Sequence, residues 1–275
     1  MVGNWGAPRL VANPAVKQEL DDTRRQSFAL LFVAVAIAVL APLQLAIAGP
    51  APESAPAEHE FYFTRGNYGG DAADWGPRWA IDFPKADKQF LVALTRLSVV
   101  DAFPAEHALE IQLDTLRDYP FLYMLEVGSL DMSAHMAEQL RSYLLAGGFL
   151  VVDDFWGSWE WDNFDAQMRL LFPDREMVDV PLDHPVFNAF YDISDVIQVP
   201  NVYQGSTGQA THEYDGYVAR VRGIFDDDGR LMVLINWNTD LGDAWEWADH
   251  PQYPLKFSTY AYEMGINFVI YGMSF

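Results

Sequence analysis

The chain is 275 residues long, about 31 kDa, enough for one sizeable domain with an appendage or for two small domains. Apolar residues make up 51% of it, which excludes global disorder, and 17 basic residues face 39 acidic ones, a net charge of −22 that repels phosphate backbones and disfavours nucleic acid as a partner. Cysteine is absent. That excludes disulfides, thiolate metal sites, iron–sulfur ligation, covalent haem attachment and a cysteine nucleophile.

Residues 1–26 read as a polar tail, and residues 27–48 as one membrane-spanning helix. No charge occurs between Gln26 and Pro52, and 22 helical residues span roughly 33 Å, about one hydrocarbon core. Arg9, Lys17, Arg24 and Arg25 precede the segment, whereas Glu53, Glu58 and Glu60 are the first charges after it. This asymmetry places the tail in the cytoplasm and everything beyond residue 50 outside. A cleaved signal peptide ending at Ala46-Ile47-Ala48 is the competing reading. Small residues Ala34, Ala36, Ala38 and Ala41 suit the helix to pack beside other membrane-protein subunits. Residues 49–59, rich in proline and alanine, form a stiff linker. The exported domain, residues 60–275, is strongly acidic: residues 53–275 hold 13 basic and 36 acidic residues. Anionic headgroups repel such a body, so contact with the bilayer is expected through the helix.

Within that domain Phe61-Tyr62-Phe63 reads as a short strand, and Pro84 opens a helix to about Ser98 with Phe90, Leu91, Leu94 and Leu97 on one face. Ala108–Leu113 and Phe121–Leu125 are strand candidates. Ser133 caps a helix carrying Met136, Leu140, Tyr143 and Leu144, Gly147-Gly148 ends it, and Phe149–Val152 follows as a core strand. Strand, helix, glycine, strand is the pattern of an α/β domain with a mainly parallel sheet. Tyr217–Phe225 and Leu231–Asn236 flank Asp226-Asp227-Asp228-Gly229-Arg230 as a β-hairpin. A last helix, Leu255–Met273, presents Phe257, Tyr260, Met264, Phe268 and Tyr271 to the sheet.

Several phrases carry a resemblance. Phe61-Tyr62-Phe63-Thr64-Arg65, Tyr119-Pro120-Phe121-Leu122-Tyr123, Leu140–Leu150 ending in Gly147-Gly148-Phe149-Leu150, and Asp153-Asp154 are four of them. Asp183-His184-Pro185-Val186-Phe187, the run Asn236–Asp243, and Gly265-Ile266-Asn267-Phe268 complete the set. In this order, over roughly residues 60–274, the chain resembles the bacterial family known as domain of unknown function 4159. That family looks like a branch of the class I glutamine amidotransferase-like superfamily. The resemblance implies a flavodoxin-like or amidotransferase-like three-layer sandwich; the hydropathy and flanking charge read above put one transmembrane helix before it, single-pass in a bacterial inner membrane with its main domain periplasmic. It implies no settled activity. Glutaminase chemistry needs a cysteine on a tight strand-to-helix turn, and a G-x-S-x-G serine elbow is missing as well.

Carboxylates remain. Asp153 and Asp154 follow a buried strand and should emerge where open α/β sheets bind ligands, and Glu160, Asp162, Asp183 and His184 are candidates to join them in a metal or sugar site. The plainer alternative is that Asp154 caps a loop while Asp183 and His184 satisfy backbone groups before Pro185. Asn236, Asn238 and Asp240 alternate like a calcium loop, but Leu241 and Trp247 stand where glycine and glutamate are needed. No resident metal or cofactor is therefore assigned. Trp156, Trp159 and Trp161 form one aromatic group and Trp237, Trp245 and Trp247 another, as interface anchors, sugar platforms or core.

Two functions follow. The first expectation is a non-catalytic binding or assembly module, a pseudoenzyme serving as an accessory subunit of a larger inner-membrane complex, a photosynthetic or other bioenergetic assembly being one conjecture. The other is a carboxylate- or metal-dependent hydrolase, or a carbohydrate-binding protein, acting on glycans.

Overall fold

The computed structural model describes residues 59–69, 72–73 and 76–274. The expected tail, membrane helix and all but the last residue of the linker lie outside the described residues. Among the described residues no helix is long and apolar enough to cross a membrane.

Seven strands form one sheet: β1 (Thr64–Asn67), β2 (His107–Glu110), β3 (Phe121–Leu125), β4 (Phe149–Asp153), β5 (Val178–Asp179), β6 (Arg220–Phe225) and β7 (Leu231–Trp237). Their spatial order is β2-β1-β3-β4-β7-β6-β5. The five strands β2, β1, β3, β4 and β7 run parallel, and β6 and β5 add an antiparallel edge. The parallel strands are covered by helices on both faces, as a parallel sheet requires. One layer holds α1 (Lys85–Leu97), α6 (Leu241–Glu246) and α7 (Leu255–Ser274). The other holds α2 (Leu113–Leu116), α3 (Ala134–Leu145) and α4 (Gly157–Leu171). A further short helix, α5 (Val202–Thr207), lies in the long connection before β6.

Period-two alternation sorts the central strands between two cores. Phe121, Tyr123, Leu125, Phe149 and Val151 join the α1/α6/α7 side, and Leu122, Met124, Leu150 and Val152 the α3/α4 side. Each such buried side chain contributes roughly 1.5–3 kcal/mol relative to exposure. Both ends of α3 follow from local chemistry: at its start Ser133 Oγ accepts from Met136 N (3.1 Å), and after its end Gly147 takes φ +116° so that the chain turns directly into β4. In the β6–β7 hairpin, Asp226 Oδ1 accepts from Asp228 N (3.0 Å) and Arg230 N (2.8 Å), and Gly229 sits at φ +82°.

Three boundaries differ from the sequence reading, the simplest being β6, which begins at Arg220 and not at Tyr217. The aromatic run Phe61–Phe63 makes only one bridge, Phe61 to Ala102, and the ladder begins at Thr64, where the chain meets β2 and β3. Strand β2 stops at Glu110, because Leu113 opens α2 with its N–H held by Gln139 Oε1 (2.9 Å).

Candidate functional site at the carboxyl edge of the sheet

The parallel strands deliver acids to one end of the sheet. Strand β3 ends at Leu125 and Glu126 follows; β4 ends in Asp153 and Asp154 follows; beyond β7 come Asp240, Asp243 and Glu246. Asp82 arrives from the connection between β1 and α1, Glu160 from the first turn of α4, and Glu213 from the segment after α5. Asp82, Glu126, Asp154, Glu160, Glu213, Asp240 and Asp243 line one cavity of about 260 Å³, with Arg78 the sole base on its wall among the described residues. Trp159 and Tyr214 stand at its mouth, 74% and 71% exposed.

The backbone is bent into this arrangement. Asp82 (φ 61°), Glu126 (φ 54°), Asp154 (φ 50°) and Tyr214 (φ 43°) are four of the five non-glycine residues in the left-handed region among the described residues, and all four line the cavity. The fifth, Asn238 (φ 61°), braces the adjoining turn, its Oδ1 accepting from Gly157 N at 2.8 Å. Such conformations cost on the order of 1–3 kcal/mol each and persist where surrounding structure enforces them. The turns after β3 and β4 are tied together by Glu126 N donating to Asp154 O (3.0 Å).

Electrostatics dominates the site. Burial, reinforced by mutual repulsion, holds the carboxyls of Asp82, Asp154 and Asp240 well above the usual carboxylate range. Burial also raises Asp243, Glu246 and Glu126, the last despite Arg78 at 2.8 Å. Glu160 is pushed up to about 7 by burial and by the charges of Glu126 and Glu213, although its Oε2 accepts from Trp156 N (2.6 Å). Two sets of acids converge tightly. Oxygens of Asp82, Asp154 and Asp240 lie within 4.8 Å of one another, and so do oxygens of Asp82, Asp243 and Glu246. Two oxygens on one cation at about 2.1–2.4 Å can be no farther apart than about 4.8 Å, so each set fits around a hard divalent ion.

The structure brings together only part of what the sequence singled out. Asp154 and Glu160 share the cavity. Asp153 is fully buried beneath it: its Oδ2 accepts from Tyr123 Oη (2.7 Å), Leu241 N (2.9 Å) and Gly242 N (3.1 Å), fixing the start of α6. Asp162 is exposed on α4. Asp183 and His184 lie at the opposite edge. Asp183 is exposed, while His184 Nδ1 accepts from Val186 N (3.2 Å) and its ring packs on Phe225 and Tyr271, whose hydroxyl accepts from Leu231 N at the start of β7. That is the backbone-satisfying role of the plainer reading.

The tryptophans divide similarly. Trp156 is buried and donates from Nε1 to Asp154 Oδ1 (3.0 Å), while Trp159 is open to solvent. Trp161 and Trp237 pack against each other with their rings tilted by 41° (4.5 Å), with Arg222 over Trp161. Trp245 is core, against Phe63, Phe90 and Tyr123, and Trp247 sits under Lys85. Sequence reasoning passed over Asp82, Glu126, Glu213, Asp243 and Glu246. Glu126 carried a usable signal, an acid directly after a fully apolar strand, the same signal that marked Asp154. Asp82 and Glu213 come from connections without periodicity, and Asp243 and Glu246 from a helix too short to show one.

Residues 63–273 match the family described as "Domain of unknown function (DUF4159)", and the chain belongs to that family. No curated protein matches the chain.

Proposed function

We propose that this DUF4159 protein is a divalent-cation-dependent hydrolase of glycans, held at the outer face of a membrane by residues 27–48. The observation that carries this reading is the convergence of Asp82, Asp154 and Asp240 oxygens within 4.8 Å, in the cavity that also holds Glu160. Asp82, Asp154 and Asp240 would hold the cation, which would supply Lewis acidity and make an attacking water more acidic. Glu160, with a carboxyl near 7, protonates the departing sugar oxygen. The water's oxygen joins the anomeric carbon as the glycosidic C–O bond breaks, and its released proton restores Glu160. Trp159 and Tyr214 offer exposed ring faces on which a sugar can stack.

The finer description of the fold belongs to the same proposal. Parallel strands in the order β2-β1-β3-β4-β7 follow flavodoxin-like winding, whose ligands sit beyond the carboxyl ends of the strands. A tight β4–α4 turn, left-handed at Asp154, supports kinship with the amidotransferase-like superfamily, with a carboxylate where that chemistry would need a thiol.

The test is metal content and glycan hydrolysis by the full chain purified in mild detergent. Bound Mg²⁺, Ca²⁺ or Mn²⁺, together with release of reducing ends that is lost in Asp154→Asn and Glu160→Gln, is the expected result. A chain that binds no cation and releases no reducing ends refutes the proposal.

The non-catalytic assembly subunit, the first expectation from the sequence, becomes the second reading here, favoured by an exposed apolar face at the end of α1. Val92 and Leu97 are half exposed there, and Val99 is 100% exposed. Stoichiometric co-purification with membrane subunits that survives Asp154→Asn would favour it.

A further inference from the structure

Asp82 belongs to both carboxylate sets. If one cation sits among Asp82, Asp154 and Asp240, the oxygens of Asp82, Asp243 and Glu246 are left as a separate group beside it. The bases that reach this end of the cavity are already engaged. Arg65 is clasped by Asp87, Arg78 by Glu126 (2.8 Å), and Lys85 by Asp249 (3.2 Å).

A separate observation points to a missing positive charge. One acceptor oxygen of the acid sets, Asp82 Oδ2, is sealed from solvent and receives no hydrogen bond, and the Asp153 carboxylate is buried beside it. Asp153 is 0% exposed. Both carboxylates flank Gly242, since Asp153 Oδ2 accepts from Gly242 N (3.1 Å) and a Cβ on residue 242 would collide with Asp82 Oδ2. Glycine in the first turn of α6 thus leaves room for the Asp82 carboxylate. An orphaned buried acceptor costs about 1–3 kcal/mol, and more when charged. Asp243 and Asp82 also meet carboxylate to carboxylate, a contact that requires a shared proton or a shared cation.

We propose that the site is binuclear: Asp82 bridges two divalent cations, one held with Asp154 and Asp240, the second with Asp243 and Glu246. This rests on the cation-dependent reading above. The donor set is entirely oxygen, which suits Mg²⁺, Mn²⁺ or Ca²⁺. A second cation would add Lewis acidity beside the attacking water, leaving the departing oxygen to Glu160.

The test is Mn²⁺ binding by the full chain in mild detergent, read as stoichiometry and as magnetic coupling in the electron paramagnetic resonance spectrum. The wild type should bind two Mn²⁺ with a coupled signal. Glu246→Gln, an isosteric change at a half-buried residue, should bind one Mn²⁺ with an uncoupled signal. Asp154→Asn should also bind one, and Asp82→Asn should lose both, each variant keeping its near-ultraviolet circular dichroism. One Mn²⁺ in the wild type, unchanged by Glu246→Gln, overturns the second position and leaves the single-cation reading standing. No Mn²⁺ in the wild type overturns both and assigns the Asp82–Asp243 contact to a shared proton.

Discussion

The loop that carries Asp82 is held from beneath by one buried ion pair, and removing that pair should unseat it. Arg65 and Asp87 are both fully buried, joined through Nε to Oδ2 (3.2 Å) and through Nη2 to Oδ1. Arg65 Nη1 also donates to Ile81 O (2.7 Å) and Trp79 O (3.3 Å), pinning the turn just before Asp82. Asp87→Asn leaves a guanidinium in the core with no counter-charge, and breaking a buried pair in this way costs about 3–5 kcal/mol. The amide still offers one acceptor, so the lower end applies. At about 2–4 °C per kcal/mol for a domain of this size, a loss of about 3 kcal/mol lowers the melting temperature by about 6–12 °C. Thermal unfolding of the full chain in detergent, followed by near-ultraviolet circular dichroism, measures it. Moderate salt should leave the difference unchanged, because the pair is not screened by solvent ions. The double variant Arg65→Met/Asp87→Leu should recover most of the stability, since apolar replacement of a buried pair is often neutral. Cation affinity should not recover with it, because the bonds to Ile81 O and Trp79 O are gone. A cost below about 1 kcal/mol for Asp87→Asn, the value of a surface pair, refutes the reasoning.

Other outcomes follow from the same geometry. Glu160 must be protonated to act as an acid, so hydrolysis should fall as pH rises through about 7, and Glu160→Gln should remove that limb and lower the rate at least about 100-fold in a pH–rate profile. Since its folded carboxyl is raised above the unfolded value, its stabilising contribution to the metal-free protein is complete below about 4.5 and is lost towards 7; urea titrations of wild type and Glu160→Gln should agree at low pH, where both side chains are neutral, and separate towards neutral pH with Glu160→Gln the more stable. Asn267→Ala removes the acceptor of Phe190 N (2.9 Å) and Tyr191 N (2.8 Å) and the donor to Tyr191 O (2.8 Å), all from a fully buried side chain, and should cost about 2–4 kcal/mol by urea unfolding. Trp159→Ala, at an exposed ring, should change stability by less than about 0.5 kcal/mol while weakening glycan binding about tenfold by calorimetry.

By itself the sequence determined the architecture. Runs such as Phe121–Leu125 and Phe149–Val152 are too short for helices and too apolar for one-sided strands, so they had to be central parallel strands with both faces covered. Ser133, Gly147 and Asp226–Arg230 placed helix ends and a hairpin because capping and turn chemistry are local. Tertiary structure alone decided the site. Its acids are spread from Asp82 to Glu246, on connections and on helices α4 and α6, and apart from Asp154 and Glu160 each one in the sequence looks like a solvated charge. Only packing reveals that Asp82, Asp154 and Asp240 are crowded together out of water while Asp183 is exposed and His184 caps a turn at the far edge. The reason is physical: backbone preferences act over a few residues, whereas the energy of a charge depends on what the folded chain places within a few ångströms of it.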